Sequence, residues 1–165
     1  MGKTQRNNQR YVKSEDPQNN IMTNTTNDKV RILVVDDHEL ARRGVVSILA
    51  LKPNYEVISE ASDGDIAVDQ ARALQPDLVL MDVSMPRMNG LEAARKIREV
   101  LPNTEILFIS QHDDKSMMQE AIKVGARGYV LKSEAGKDLL NAIATVCEQK
   151  PFISPKLTPK PPTKA

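Results

Sequence analysis

The fold is decided by the stretch LVLMDVSMPRMNG, residues 78–90. Its first four residues are apolar without interruption and stop at Asp82, which is typical of a strand covered on both faces of a parallel sheet. The proline and glycine that follow indicate a loop, and Asn89 is suited to cap the next helix. The stretch therefore predicts a buried strand that delivers a carboxylate to a loop.

Three further apolar runs end on polar residues in the same way. They read ILVVDDHE (32–39), EILFISQHDD (105–114) and GYVLKSE (128–134). Their polar ends are Asp36 with Asp37, Ser110 and Lys132. Because parallel strands end at one edge of an open α/β sheet, where ligands bind, we expect these side chains to converge with Asp82.

Strand patterns alternate with helical patterns five times. The predicted strands are Val30–Val35, Tyr55–Glu60, Leu78–Met81, Ile106–Ile109 and Tyr129–Leu131. For the first helix we predict an inward face of Leu40, Gly44, Ile48 and Leu51, and we expect Gly125 to end the fourth helix.

Short connections between such units require right-handed crossovers with helices on both faces of the sheet. We therefore predict an α/β fold, a flavodoxin-like (βα)5 doubly wound parallel sheet with strand order 2-1-3-4-5. Its switch point between strands 1 and 3 would place Asp36 and Asp37 beside Asp82.

The two ends of the 165-residue chain differ from its centre. Residues 1–28 are rich in Asn, Gln and Thr and are predicted to be a disordered tail. Residues 150–165 contain five prolines and four lysines and are predicted to be a linker or tail. The domain is then expected over residues 29–149.

Charge and hydropathy narrow the class of protein. Residues 30–149 carry 14 basic and 19 acidic residues, a net charge of −5 that suits divalent cations better than nucleic acid. One cysteine excludes an intrachain disulfide, and no apolar run reaches the ~18 residues of a membrane span. The N-terminus lacks the apolar core of a signal peptide. We expect a cytoplasmic protein without membrane contact.

The predicted cluster of polar residues suits phosphoryl chemistry. Three carboxylates in one cleft repel each other unless a cation such as Mg²⁺ or Mn²⁺ neutralises them. A carboxylate can also act as the nucleophile that takes a phosphoryl group, a reaction that depends on positioning and charge neutralisation. Lys132 and Ser110 would supply a charge and a hydroxyl to that group. Direct ligation by His38 or His112 is not expected, but His112 is placed to influence access of water.

The same residues resemble the receiver domain of two-component response regulators. The resemblance runs from VVDDHE through LMDVSMPRMNG to FIS and GYVLK, over about 120 of the 165 residues. The separations fit as well, with 45 residues from Asp37 to Asp82, 28 more to Ser110 and 22 more to Lys132.

The resemblance implies a role for each matching residue. Asp82 is the implied phosphoacceptor, and Ser110 and Lys132 are the implied hydroxyl and ammonium that bind the phosphoryl group. The implied metal ligands are Asp36, Asp37, Asp82 and the backbone carbonyl of Ser84. Ser110 and Tyr129 are the implied switch pair, and Pro86 and Gly90 shape the acceptor loop. Many receivers have a cis Lys-Pro bond after the lysine; Ser133 stands there in this chain, which leaves cis or trans open.

The function implied is a phosphorelay switch. Asp82 would accept a phosphoryl group from a sensor histidine kinase or phosphotransfer protein. The phosphoryl group would then change a surface that binds other proteins, and the chain would form a homodimer when phosphorylated. The chain would not be an enzyme beyond self-catalysed phosphotransfer and autodephosphorylation.

Other classes fit the sequence less well. A dehalogenase-type hydrolase needs an acid where Ser84 stands, and no G-x-G-x-x-G or P-loop is present for a nucleotide or flavin. A scaffold that is never phosphorylated would not need all five site residues.

The sequence leaves open what the domain controls, that is, its output. The segments DDHELARRGVVSIL and FISPKLT are similar to those of the NarL/FixJ class, whose members carry a C-terminal DNA-binding helix-turn-helix. The alternative is therefore the N-terminal part of such a transcriptional regulator, with its output domain absent from this chain. We expect no sequence-specific DNA binding by this chain alone.

Overall fold

The computed structural model describes residues 28–158. The elements in chain order are β1 (Val30–Val35), α1 (Glu39–Leu49), β2 (Tyr55–Ala61), α2 (Gly64–Leu74), β3 (Leu78–Asp82), α3 (Gly90–Val100), β4 (Glu105–Ser110), α4 (Lys115–Lys123), β5 (Gly128–Leu131), α5 (Ala135–Cys147) and β6 (Phe152–Ile153). Two 3-10 turns, Lys132–Glu134 and Pro155–Leu157, follow β5 and β6. The predicted disorder before residue 28 lies outside the described residues.

The strands form one parallel sheet in the order β2-β1-β3-β4-β5-β6. The predicted order 2-1-3-4-5 and the doubly wound fold are thus confirmed, with β6 as an addition. In register, Val35 lies beside Met81, Asp82 beside Ile109, and Ser110 beside Leu131. The strand ends that carry the polar residues therefore meet at one edge.

Two hydrophobic cores cover the two faces of the sheet. One contains residues of α2, α3 and α4, and the other contains residues of α1 and α5. The central strand β3 contributes Val79 and Met81 to the first and Leu78 and Leu80 to the second, all at most 1% exposed. Burial on both faces explains why this strand is apolar at every position.

The predicted inward face of α1 is wrong. Leu40 and Leu51 are 83% and 72% exposed, whereas Val45 and Leu49 are buried. Apolar residues occur on more than one side of this helix, so their spacing does not identify the buried face. The helix also ends at Leu49, so Leu51 is not part of it. The predicted end of α4 is confirmed: Gly125 has φ of 98°, and its N–H donates to the carbonyl of Ile122 at 3.0 Å.

The strand β6 is not predicted by the sequence, whose composition places its residues in the linker or tail. Phe152 and Ile153 pair with β5, and Leu157 in the turn that follows is only 2% exposed. A two-residue strand between Pro151 and Pro155 is too short to show a period, which is why the composition pointed to a linker. The division into tail, domain and linker otherwise stays a prediction.

None of the helices between residues 28 and 158 is both long and apolar enough to span a bilayer.

Candidate functional site

Lys132 joins two buried carboxylates at the edge of the sheet. Its Nζ lies 2.9 Å from Oδ2 of Asp36 and 3.1 Å from Oδ2 of Asp82. Each aspartate is 4% exposed, and each follows or ends a buried strand. The fold thus brings together the three residues at the ends of β1, β3 and β5, as the sequence analysis expected.

The single positive charge of Lys132 is shared by two carboxylates, so it only partly neutralises their negative charges. Burial raises the pKa of the Asp82 carboxyl above its ordinary value of 3.8, and Lys132 opposes this without cancelling it. Burial alone would lower the pKa of Lys132, but hydrogen bonds and charges from Asp36 and Asp82 hold that pKa above 10.5. The site therefore has a net shortage of positive charge.

Asp37 completes an acidic cluster. Ligand atoms of Asp36, Asp37, His38 and Asp82 all lie within 4.8 Å of one another. Oδ1 of Asp37 is buried and accepts no hydrogen bond, although Nδ1 of His38 is 3.2 Å away. A buried acceptor without a donor, in a set of carboxylate oxygens, fits a hard divalent cation such as Mg²⁺.

Asp36 is held in place from two sides. Its Oδ1 accepts a hydrogen bond from the N–H of His38 at 2.9 Å, and its carbonyl accepts one from Nη1 of Arg42 at 2.7 Å. Arg42 in turn pairs with Glu60 of β2 at 3.0 Å. Sequence reasoning missed Arg42, because an arginine on the first turns of a helix carries no motif of its own.

The loop after Asp82 is shaped by a close approach of the backbone. A Cβ at Gly90 would collide with the carbonyl oxygen of Asp82, so only glycine fits. The N–H of Gly90 donates to the carbonyl of Val83 at 2.8 Å, and Oδ1 of Asn89 accepts from the N–H of Glu92 as the cap of α3. Pro86 is exposed within this loop. The N–H of Ser84 points back to Oδ1 of Asp82 at 3.3 Å.

His112 connects three predicted site residues. Its N–H donates to Oγ of Ser110 at 3.0 Å, its carbonyl accepts from the hydroxyl of Tyr129 at 2.8 Å, and its Nε2 lies 2.6 Å from Oγ of Ser84. Ser110 and Tyr129 are fully buried, and burial raises the pKa of the Tyr129 hydroxyl. The sequence placed His112 near the site but did not predict that it links two loops.

A small cavity of about 50 Å³ leads to Asp82. Its walls are His38, Ser84, Gln111 and His112. Both histidines therefore border the space beside the Asp82 carboxylate.

The peptide bond after Lys132 is trans. All peptide bonds within residues 28–158 are trans, and Ser133 continues into the 3-10 turn Lys132–Glu134. The conformation that the sequence left open is thereby decided.

Comparisons with known proteins identify the family of the chain. The family model of the response regulator receiver domain matches residues 32–144. The transcriptional regulatory protein DegU of Brevibacillus brevis is 40% identical over 131 residues, which cover 79% of this chain and 56% of DegU. The nitrate/nitrite response regulator protein NarL of Escherichia coli strain K12 is 38% identical over 128 residues, covering 78% and 59%. The chain thus spans less than two thirds of the length of these relatives.

Solved structures show the same domain. The signal receiver domain of NarL from Mycobacterium tuberculosis superposes with a TM-score of 0.71 at 37% identity, covering 74% of this chain and 99% of that one. A LuxR-family response regulator from Aurantimonas sp. SI85-9A1 gives a TM-score of 0.76 at 34% identity, covering 78% and 92%. By sequence, by fold and by the convergence of its strand-end residues, the chain belongs to the family of response regulator receiver domains.

Proposed function

We propose that this chain is a phosphorylation-switched signalling domain in which Asp82 accepts a phosphoryl group from a histidine kinase or a phosphotransfer protein. The observation that supports this most directly is the ammonium of Lys132 bonded to both Asp82 and Asp36. It places a buried nucleophile beside a fixed positive charge, which is the combination that phosphoryl transfer requires.

The chain's own residues provide the chemistry at the acceptor. A carboxylate oxygen of Asp82 forms the new P–O bond while the P–N bond of a phosphohistidine donor breaks and its electron pair stays on the imidazole nitrogen. The N–H of Ser84 fixes one oxygen of Asp82, and Lys132 fixes the other. Lys132 then neutralises charge on the transferred group.

The acidic cluster is the proposed metal site. Asp36, Asp37, Asp82 and the backbone carbonyl of Ser84 would hold Mg²⁺, with Mn²⁺ as a substitute. When bound, the ion supplies the positive charge that the carboxylates and the phosphoryl oxygens lack. The orphaned Oδ1 of Asp37 supports this assignment.

The switch proceeds through Ser110. Its hydroxyl would donate to a phosphoryl oxygen, which draws the loop between β4 and α4 toward Asp82. Because His112 in that loop is bonded to Ser110 and to Tyr129, the movement reaches β5 and α4. The surface of α4, β5 and α5 is then the proposed interaction surface, for a partner or for a second copy of the chain.

The test is phosphorylation of the full chain by acetyl phosphate or a cognate kinase in the presence of Mg²⁺. Asp82→Asn should abolish incorporation, whereas Asp113→Asn, an exposed loop acid, should leave it intact. Mass spectrometric mapping of the phosphate in the wild type to any residue other than Asp82 would contradict the proposal.

A second candidate is favoured by the relatives. Several are transcriptional regulators, and this chain spans less than two thirds of their length. The chain would then be the N-terminal part of a DNA-binding regulator. The reading frame after codon 165 tests this directly. The chain itself should not select one DNA sequence over random DNA in a gel shift, because its domain is acidic.

A further inference from the structure

The last described residues lie on the strand that carries the switch. Residues 152–157, which we name the C-terminal strap, begin with Phe152 and Ile153, which pair with the outer edge of β5, and end in the turn Pro155–Leu157. That strand contains Tyr129 and leads directly into Lys132. The strap therefore contacts the part of the domain that a phosphoryl group would affect.

Ser154 makes the tightest connection between the strap and β5. Its N–H donates to the carbonyl of Tyr129 at 2.9 Å, and its Oγ accepts from the N–H of Leu131 at 2.9 Å. Ser154 is fully buried. The strap thus satisfies the outer edge of β5 up to the residue before Lys132.

The apolar side chains of the strap straddle the sheet edge. Phe152 packs against the core on the α5 side, whereas Ile153 packs against the core on the α4 side and Leu157 is part of that core. Leu157 is 2% exposed. The strap therefore links β5 to both helical layers.

Ile153 is the direct neighbour of Tyr129 in the parallel register. Neighbours in register point to the same face of a sheet, and both side chains belong to the core on the α4 side. For the ring of Tyr129 to leave the core toward the sheet edge, it would have to pass through the space of Ile153. The strap thereby keeps Tyr129 inward, with its hydroxyl bonded to His112.

A second tie reaches the turn that contains Lys132. Nζ of Lys156 lies 2.7 Å from Oε1 of Glu134, the last residue of that turn. A partly exposed ion pair contributes little stability by itself. Its place matters more, because it connects the strap to the other end of the turn that positions the phosphate-binding ammonium.

We infer that the strap is a built-in coupling element: docking of residues 152–157 on β5 and phosphorylation of Asp82 favour each other, because the strap contacts Tyr129 through Ile153 and the phosphoryl group would act on Tyr129 through Ser110 and His112. The inference rests on the proposed function. By linkage, the phosphorylated domain holds the strap more tightly, and a domain with a docked strap accepts the phosphoryl group more readily. The strap then transmits the state of Asp82 to whatever follows residue 158.

The experiment uses the full chain with beryllofluoride and Mg²⁺ as the phosphoryl analogue. In the wild type, hydrogen exchange of the backbone amides of the strap, except Pro155, which has none, should slow several-fold on addition of the analogue. Leu157→Ala and Ser154→Ala should bind the analogue about five- to tenfold more weakly. Lys150→Ala, an exposed change just before the strap, should bind it as the wild type does. In a Tyr129→Ala background the effect of Leu157→Ala should shrink below about twofold.

The outcomes separate this inference from the proposed function. Unchanged exchange of the strap in the wild type, or unchanged affinity in a folded Ser154→Ala variant whose strap exchanges freely, would overturn the coupling while leaving Asp82 as the acceptor. Absence of analogue binding by the wild type, or full binding by Asp82→Asn, would overturn the proposed function and the coupling with it. Circular dichroism identifies any variant that fails to fold, and the wild-type exchange measurement does not depend on a variant.

Discussion

Nε2 of His112 lies 2.6 Å from Oγ of Ser84, so one hydrogen bond joins the loop after β3 to the loop after β4 directly above Asp82. The two residues also form walls of the small cavity that Asp82 lines. The side chain of His112 therefore ties the two loops together and forms part of the wall of the cavity beside Asp82.

We expect His112→Ala to shorten the lifetime of the phosphorylated protein. Loss of the imidazole opens the cavity to water, which should speed hydrolysis of the aspartyl-phosphate several-fold. Decay of the phosphorylated fraction on a phosphate-affinity gel measures this rate. Lys115→Ala, an exposed change at the start of α4, is the control, and a lifetime equal to that of the wild type in His112→Ala would show that the imidazole does not shield the site.

Asp37 offers a test of the metal site. Asp37→Asn removes the carboxylate whose Oδ1 lacks a hydrogen-bond partner, so Mg²⁺ should bind at least about tenfold more weakly, a loss of ~1.4 kcal/mol. Isothermal titration with Mg²⁺ gives the affinity. A matched change is Asp65→Asn, an exposed acid on α2, which should have no effect. Equal Mg²⁺ affinity in Asp37→Asn and the wild type would remove Asp37 from the ligand set.

Stability without divalent cations should depend on Asp82 in a defined pH range. Because burial raises the pKa of Asp82, the ionised carboxylate destabilises the fold, and this effect is absent below its unfolded value of 3.8 and complete above its folded value. Asp82→Asn should therefore raise the melting temperature by a few degrees at pH 7, since Asp36 still pairs with Lys132.

Melting temperatures measured in acid provide the control for the predicted stabilisation by Asp82→Asn. The advantage of Asp82→Asn should vanish as the pH falls below the unfolded value, where Asp82 is neutral in both states. Lys132→Met should have the opposite effect at pH 7, because it leaves two buried carboxylates without their cation. A melting temperature of Asp82→Asn below that of the wild type at pH 7 would contradict the net shortage of positive charge.

Alanine substitutions at Gly90 and Gly44 should change the free energy of unfolding in opposite directions. Gly90→Ala should destabilise the fold by roughly 1–3 kcal/mol, because its Cβ would collide with the carbonyl of Asp82. Gly44→Ala should stabilise it by about 0.5–1 kcal/mol, since nothing lies within 4 Å of the new Cβ on helix α1. Urea unfolding gives both values. A neutral Gly90→Ala would mean that the acceptor loop is more adaptable than its geometry suggests.

The proposed switch can be followed by NMR. With beryllofluoride and Mg²⁺, chemical-shift changes should cluster on residues 110–132, from Ser110 through Tyr129. Changes limited to the loop after Asp82, with Tyr129 unaffected, would show that the path through His112 does not operate. Asp82→Asn with the same additions should show none of these changes.

The sequence predicted the residues that the ends of the strands bring together, but it did not predict the features that depend on how side chains pack. Strand ends follow from uninterrupted apolar runs, and the strand order follows from the alternation of strand and helix patterns. The meeting of Asp36, Asp82 and Lys132 could therefore be anticipated. The inward face of α1 could not, because its apolar residues occur on several sides and only contact with the sheet selects Val45 and Leu49. Likewise, the tie between Ser84 and His112 depends on two loops whose distance no spacing in the chain specifies.

The short strand β6 has a consequence for solubility as well. An uncovered strand at the border of a sheet offers free N–H and C=O groups to another molecule, and proteins avoid this with short strands, prolines and charges. Along β5 the border is closed by two residues flanked by Pro151 and Pro155, and along β2 it carries the exposed Glu56 and Glu60. Both borders of the sheet are thus protected against edge-to-edge aggregation, and we expect concentrated solutions of the domain to resist fibre formation.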